Sequence, residues 1–231
     1  MNSAPNLAPS EQASLKKYVL LVATMASFLT PFMGSSINLS IPAIGEQFSC
    51  SAFLLSWVVT SYVLASAAFL IPFGRLADIY GRKKIFLIGM AIFTLSSLLC
   101  GISWSISSLL FFRVVQGIGS SMIFGTSMAI LTSVYPPQER GKVLGINVGA
   151  VYIGASLGPS LGGAMNHNFG WPSIFYLVTV IGIVVFWVTA SKLKGEWKGA
   201  HGESFDLVGS VLYGIGLVSL MLGISSISAF V

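Results

Sequence analysis

A charged segment lies between two long apolar runs and reads Gly74-Arg75-Leu76-Ala77-Asp78-Ile79-Tyr80-Gly81-Arg82-Lys83-Lys84. Five of these eleven residues are charged, whereas the whole chain is 8% charged and 55% hydrophobic. A soluble globule with a solvated polar surface does not have that composition. The pattern predicts a membrane protein in which this segment, residues 74–84, connects two spans outside the lipid.

Seven apolar stretches are long enough to cross a hydrocarbon core, which takes roughly 20 residues of helix. Helices are expected because backbone groups in lipid must be hydrogen-bonded within their own segment. The sequence therefore predicts an all-α polytopic membrane protein. The predicted spans are Tyr18–Asn38, Phe53–Phe73, Ile85–Ile102, Ser107–Ser133, Val143–Met165, Ser173–Ala190 and Leu207–Val231.

The basic residues predict the orientation. Eleven of the twelve lysines and arginines fall in connections on one side of the membrane, and the twelfth, Arg113, falls inside the fourth span. The positive-inside rule then places the N-terminus and the basic connections in the cytoplasm, as in a multi-pass protein of the plasma (cytoplasmic) membrane. Positive charge on this side lies next to anionic lipid, so we expect the bilayer to be a partner. We do not expect a nucleic acid partner.

The fourth span contains the segment Arg113-Val114-Val115-Gln116-Gly117-Ile118-Gly119. A charge within a membrane helix is costly, so a functional or paired role is the default hypothesis. Arg113 and Gln116 are three residues apart and share a helix face, where Gly117 leaves room for a neighbour. The alternative is an arginine that snorkels to the surface and only anchors the helix.

Glycines recur along the fifth span. Their spacing predicts a surface for close helix packing, and the proline predicts a kink because it removes an internal hydrogen bond. The alternative is a generic small-residue interface. The residues are Gly145, Gly154, Gly158, Pro159, Gly162 and Gly163.

Residues 74–84 resemble the signature loop of the major facilitator superfamily, G-x-L-A-D-x-x-G-R-K, and lie between spans two and three as in that family. The resemblance implies a cytoplasmic latch between the two halves of a transporter, so we call residues 74–84 the latch segment. Carried over by position, Asp78 is the latch carboxylate, Gly74 and Gly81 shape the turn, and Arg82 supplies charge. Arg140, in the next cytoplasmic loop, is the expected partner of Asp78.

The Arg113 segment and the glycine pattern also resemble family motifs. The glycine pattern is similar to that of the exporting antiporters, and this resemblance implies a hinge at the fifth helix, which would rock against the other half of the transporter. Asn38-Leu39-Ser40-Ile41-Pro42 and Phe205-Asp206-Leu207-Val208-Gly209 resemble pieces of the fourteen-helix drug:proton antiporters. The resemblance implies an N-terminal transporter half. Its expected domains are a cytoplasmic tail at 1–16, a six-helix N-terminal bundle at 17–190, a cytoplasmic loop at 191–206 and a seventh, linking helix at 207–231, after which the chain ends before a second bundle.

One departure from the family bears on ion coupling. The aspartate usual in the first helix is replaced by Met33, and all seven acidic residues of the chain lie in loops or at helix ends. Proton coupling would then need Arg113 together with groups outside this chain.

The resemblance implies export of small lipophilic, drug-like compounds by alternating access in an ion-coupled secondary transporter, completed by a second half or a homodimer. It implies no enzyme activity, cofactor or metal. The open alternative is a non-transporting or regulatory membrane protein derived from a truncated transporter. The expected substrate or proton pathway comprises Arg113, Gln116, Asn38, Tyr62 and Tyr152.

Overall fold

The computed structural model describes residues 8–200 and 203–227, and no strand occurs within these ranges. Residues 1–7 of the predicted tail and 228–231 of the predicted seventh span lie outside the described residues. The helices are α1 (Pro9–Ser36), a 3-10 turn (Ile37–Ser40), α2 (Ile41–Phe48), α3 (Ala52–Tyr80), α4 (Arg82–Gly101), α5 (Ile106–Val134), α6 (Pro137–Phe169), α7 (Pro172–Lys192) and α8 (Leu207–Ile227).

The predicted all-α architecture is confirmed. Six helical stretches in the described residues are long and apolar enough to cross a membrane, with Pro9–Phe48 counting as one of them. The apolar helix α8 occupies the place of the predicted seventh span. The first helix begins at Pro9, earlier than the predicted span, because Pro9 fits the first helical position and Glu11 lies in the first turn.

Helix ends follow local sequence signals. The Ser105 hydroxyl oxygen accepts from the backbone N–H of Ser108 (3.2 Å) and so caps the start of α5. Ser51 caps α3 in the same way through the N–H of Leu54. Prolines open α6 and α7, where a missing backbone N–H costs nothing. The bends between spans are therefore set locally, and tertiary packing decides which helices meet.

The bundle is built around α1, α4 and α5. Helix α1 packs on α5, α6 and α7; α4 packs on α5 and α7; and α3 lies between α5 and α8. The shared core is apolar and aromatic, and its largest fully buried hydrophobic side chains include Phe32, Phe86, Phe93 and Phe175. These contacts place the fourth predicted span, α5, at the centre of the bundle.

The four basic segments meet at one end of the bundle, here called the basic end. Lys16 Nζ lies 2.9 Å from the Glu139 carboxylate, joining the start of α1 to that of α6. The Tyr135 hydroxyl donates to the Lys16 carbonyl oxygen. Burial and, secondarily, Glu139 raise the pKa of Tyr135, so this hydroxyl keeps its donor proton at neutral pH.

The glycine pattern of the fifth span is a packing face within the bundle. Gly154, Gly158 and Gly162 are buried in α6 against α1. A Cβ at Gly162 would lie 2.7 Å from the Ser36 Cβ and 2.8 Å from its carbonyl oxygen. Gly145 is exposed with no neighbour within 4 Å of such a Cβ, so it is not part of the packing face that the pattern predicts.

Replacing Gly162 by alanine should destabilise the bundle by about 1–3 kcal/mol, because a methyl group there overpacks the α1–α6 contact. Gly145→Ala is the matched control, and it should be neutral or stabilising by up to about 1 kcal/mol, since alanine favours a helix interior. The measurement is thermal unfolding in mild detergent, followed by labelling of the buried Cys100 thiol in a Cys50→Ser background. Equal Tm values for the two variants would contradict the packing assignment.

Candidate functional site

Arg113 is completely buried in the middle of the bundle. Its Nε donates to the Val58 carbonyl oxygen of α3 at 2.8 Å. One of its terminal nitrogens, Nη1, donates to the Gln116 side-chain oxygen at 2.6 Å. A surface arginine that snorkels out of the membrane would keep its guanidinium exposed. Full burial therefore rules out the anchor alternative and leaves a paired, interior cation.

Tyr62 of α3 covers the guanidinium. The Arg113 Cζ lies 4.3 Å from the centroid of the Tyr62 ring, close enough for a cation–π contact. The Tyr62 hydroxyl donates to the Thr30 carbonyl oxygen (3.0 Å) and shares a hydrogen bond with the Ser120 hydroxyl (2.9 Å). Tyr62 thus links the cation in α5 to α1.

Gln116 extends the network to a fourth helix, because its amide nitrogen donates to the Ser97 hydroxyl of α4 at 2.7 Å. Side chains and carbonyls of α1, α3, α4 and α5 consequently converge on one charge. We call this group the Arg113 cluster, and it consists of Thr30, Val58, Tyr62, Ser97, Arg113, Gln116 and Ser120.

Two glycines allow this convergence. A Cβ at Gly117 would lie 2.8 Å from the Ala65 Cβ of α3, and one at Gly119 would lie 2.6 Å from the Phe93 backbone nitrogen of α4. Helix α5 can therefore approach both neighbours closely enough for Arg113 to reach their backbones. Gly117 is expected to leave room for a neighbouring helix, and the helix that lies there is α3.

The Arg113 cluster has no negative charge. Across residues 8–200 and 203–227, no hydrogen bond or ion pair joins a carboxylate to Arg113, and its second terminal nitrogen, Nη2, has no acceptor. Met33, which stands at the position of the family's first-helix aspartate, is itself fully buried. The cluster can hold a cation by neutral hydrogen bonds and a ring face, but its side chains offer no carboxylate to carry a proton.

The predicted pathway residues divide into two groups. Arg113, Gln116 and Tyr62 lie together, as expected. Asn38, in the 3-10 turn, and Tyr152, on α6 with 69% of its surface accessible, are exposed. No hydrogen bond or ring contact among the described residues joins either of them to the Arg113 cluster.

The latch segment is almost entirely helical. Helix α3 continues to Tyr80 and α4 begins at Arg82, so Gly81, with φ +126°, is the single residue between them. That backbone angle suits glycine and strains other residues. The expectation that Gly74 shapes the turn is wrong. Gly74 lies inside α3, whose helical backbone continues to Tyr80.

Asp78 pairs within the latch segment. Its Oδ1 lies 2.7 Å from Nη2 and 2.8 Å from Nε of Arg82, one helical turn further along the chain. Arg82 also donates to the Ser133 hydroxyl of α5 at 2.6 Å. The expected pairing of Asp78 with Arg140 is not the one present, because Arg140 donates to the Tyr135 carbonyl oxygen instead.

Sequence reasoning missed the hydroxyl and carbonyl partners of the Arg113 cluster. Thr30, Ser97 and Ser120 belong to no motif, and isolated small polar residues are common in membrane helices. It also missed the contacts between the latch segment and the loop after α7, where Glu196 accepts from the backbone N–H groups of Lys83 and Lys84. The only sequence feature that could have indicated these contacts is Glu196 itself, an acidic residue within a basic loop.

The family follows from comparison with known proteins. Residues 23–231 match the model of the Major Facilitator Superfamily, so the chain belongs to that superfamily of membrane transporters. With its apolar helices, this makes it a multi-pass membrane protein and not an enzyme. The fold agrees: a bacterial homologue of the human lysosomal transporter Spinster, solved inward-facing and unoccupied, superimposes with a TM-score of 0.67 at 23% identity, over 84% of this chain and 46% of that one.

Curated relatives indicate the branch. The chain is 34% identical over 198 residues to the riboflavin transporter RibZ of Clostridioides difficile, covering 86% of this chain and 43% of the relative. It is 34% identical over 203 residues to the multidrug resistance protein Stp of Mycobacterium tuberculosis, covering 87% and 38%. The resemblance to the multidrug transporters of this superfamily is thereby confirmed. The chain spans less than half the length of these relatives.

Tyr62→Phe should lower the stability of the bundle by about 1–3 kcal/mol, because it leaves the Thr30 carbonyl and the Ser120 hydroxyl without their buried partner. Tyr62→Leu should cost at least about 0.5–2 kcal/mol more, since it also removes the ring over Arg113. Thermal unfolding in mild detergent measures both variants. Equal stability of the phenylalanine and leucine variants would show that the cation–π contact contributes nothing.

Proposed function

We propose that this chain is the N-terminal bundle of a secondary transporter that exports small lipophilic compounds by alternating access. The observation that carries the proposal is the construction of α6. Gly154, Gly158 and Gly162 pack one face of α6 against α1, while Ile146, Tyr152, Ile153 and Leu157 elsewhere on the helix are exposed. A rigid helix with an unpaired apolar face suits a bundle that moves as a body against a second bundle.

The chemistry of the exposed surface supports a lipophilic substrate. Tyr152 of α6, Phe69 of α3 and Phe124 of α5 are at least one-third exposed in the isolated chain. Aromatic walls with few fixed polar groups accommodate varied apolar molecules better than one rigid polar substrate. Stp is a multidrug resistance protein and RibZ is a riboflavin transporter, so drug-like aromatic compounds and riboflavin are the first substrates to test.

Charge in the interior favours a neutral or anionic lipophile over a cationic one. The Arg113 cluster contributes a cation, and the described residues place no carboxylate beside it. We propose that ion coupling, by a proton or another cation, uses a carboxylate from the second half.

We further propose that the basic end faces the cytoplasm and that the protein resides in the plasma membrane. Lys16, Arg82, Lys83 and Lys194 lie at this end through their contacts with neighbouring connections. The positive-inside rule then assigns the N-terminus to the cytoplasmic side. The latch segment accordingly lies at the cytoplasmic end of the bundle.

The absence of a carboxylate beside Arg113 favours one other function, that of a non-transporting regulatory protein. Such a protein needs a stable bundle but no ion coupling. It would tolerate changes in the latch segment and in the Arg113 cluster that leave the fold intact.

The proposed function is tested by following efflux of a neutral lipophilic dye and of riboflavin from the protein's own cells. Arg113→Gln should reduce efflux at least about tenfold, a loss of roughly 1.4 kcal/mol or more from the transport barrier. Lys17→Gln, at an exposed position of α1, is the control and should leave efflux unchanged.

The native mass of the complex in mild detergent is measured on the same preparations. A complex that contains a second half or a second copy, with efflux sensitive to Arg113→Gln, supports the transporter. A lone 24.5 kDa chain whose cells export equally well with either variant contradicts it and favours the regulatory function.

A further inference from the structure

The charges at the N-terminus of α4 are unfavourable for the helix dipole. Its first three residues are Arg82, Lys83 and Lys84, so three positive charges lie at the positive end of the helix dipole. The first backbone N–H groups of a helix have no partner within it. The residue before the helix is Gly81, which has no side chain that could cap them. Stabilisation of this helix start must therefore come from another part of the chain.

The loop after α7 supplies it. The Glu196 carboxylate accepts from the backbone N–H of Lys83 at 2.7 Å through Oε1 and from that of Lys84 at 3.1 Å through Oε2. The Trp197 carbonyl oxygen accepts from the N–H of Arg82 at 2.8 Å. The first three amides of α4 are thus all satisfied from outside the helix. A carboxylate at this position also offsets the dipole and the three basic residues.

The same loop is attached to Asp78. The backbone N–H groups of Gly199 and Ala200 both donate to the Asp78 carbonyl oxygen at 3.0 Å. The Lys83 ammonium donates to the Leu193 carbonyl oxygen. Leu193 and Trp197 are almost completely buried, which fixes the loop between these polar contacts. We call residues 193–200 the brace.

Two glycines fit the brace against the latch segment. A Cβ at Gly199 would lie 2.6 Å from Oδ1 of Asp78 and 2.7 Å from Nη2 of Arg82. A Cβ at Gly81 would lie 2.8 Å from Cγ of Glu196. Real Cβ atoms do not come so close to such neighbours, so the Asp78–Arg82 pair and the brace are in direct steric contact.

We propose that Glu196 is a positioning residue for the latch segment: through the brace it fixes the start of α4, and with it the Asp78–Arg82 pair. The role of that pair in transport rests on the proposed function, whereas the contacts of the brace do not. Residues 191–206 are then more than a connection between α7 and α8. In a working transporter, loss of Glu196 alters the rate of alternation and leaves substrate binding unchanged.

Hydrogen–deuterium exchange of the whole chain in lipid nanodiscs tests the proposal. In Glu196→Ala, amides 83 and 84 should exchange at least about tenfold faster than in the parent, because the carboxylate that accepts from them is lost. Glu196→Gln should be intermediate, since its amide oxygen replaces one acceptor of the carboxylate. Gly199→Ala, which pushes the brace away from Asp78, should accelerate the same amides.

Two controls separate local positioning from general damage. Glu203→Ala removes a carboxylate that pairs with the Arg75 side chain and contacts no helix start, so it should leave amides 82–84 unchanged. Labelling of the buried Cys100 thiol reports unfolding of the bundle and should be unchanged in all variants. Unchanged exchange in both Glu196→Ala and Gly199→Ala overturns the proposal, as does exchange that rises only together with Cys100 labelling.

Transport kinetics provide the functional readout. In a preparation that exports substrate, Glu196→Ala should change kcat at least about threefold with KM unchanged, the signature of a step after binding. A change confined to KM contradicts the positioning role. If no preparation exports any substrate, the proposed function fails, but the exchange experiment still decides whether Glu196 orders the latch segment.

Discussion

The burial of the Arg113 guanidinium is the constraint on which the bundle depends. Removing a cation from water into a low-dielectric interior costs free energy, which hydrogen bonds to its donors must largely offset. Here α3 provides a backbone carbonyl and the ring of Tyr62, and α5 provides Gln116. The helices must approach closely and in a fixed rotation for these groups to reach the charge, so one side chain determines how four helices pack.

A buried cation without a carboxylate differs in chemistry from a buried ion pair. An arginine–carboxylate pair can exchange its partner when a proton arrives, because the carboxylate titrates. Neutral hydrogen bonds and a ring face have no comparable switch near neutral pH. Met33, buried at the position where the family pattern has an aspartate, adds no titratable group to this bundle. The Arg113 cluster is better suited to holding the bundle rigid than to carrying protons.

Two further regions of the bundle are also tightly held, namely the contact between α1 and α6 and the basic end. The glycine face of α6 packs closely against α1, which leaves little room for these two helices to shift relative to each other. At the basic end, Glu196 and the backbone of the brace hold the start of α4, although that helix begins with three like charges. A bundle fastened in its middle, along α6 and at one end is suited to turning as a single body.

The sequence alone determined the helical nature of the spans and the approximate places of the six found among the described residues, because composition and length are enough when the solvent is lipid. It also predicted that Arg113, Gln116 and Gly117 share a face, since that depends only on the helical period. Tertiary structure decided the rest. Arg82 rather than Arg140 pairs with Asp78, and Gly74 lies within a helix. Gly145 is exposed and lies outside the packing face of α6, and Asn38 and Tyr152 lie away from the Arg113 cluster. Glu196 reaches residues 83 and 84 across more than a hundred positions of sequence. Periodicity fixes which residues share one helix face, but only packing fixes which faces meet.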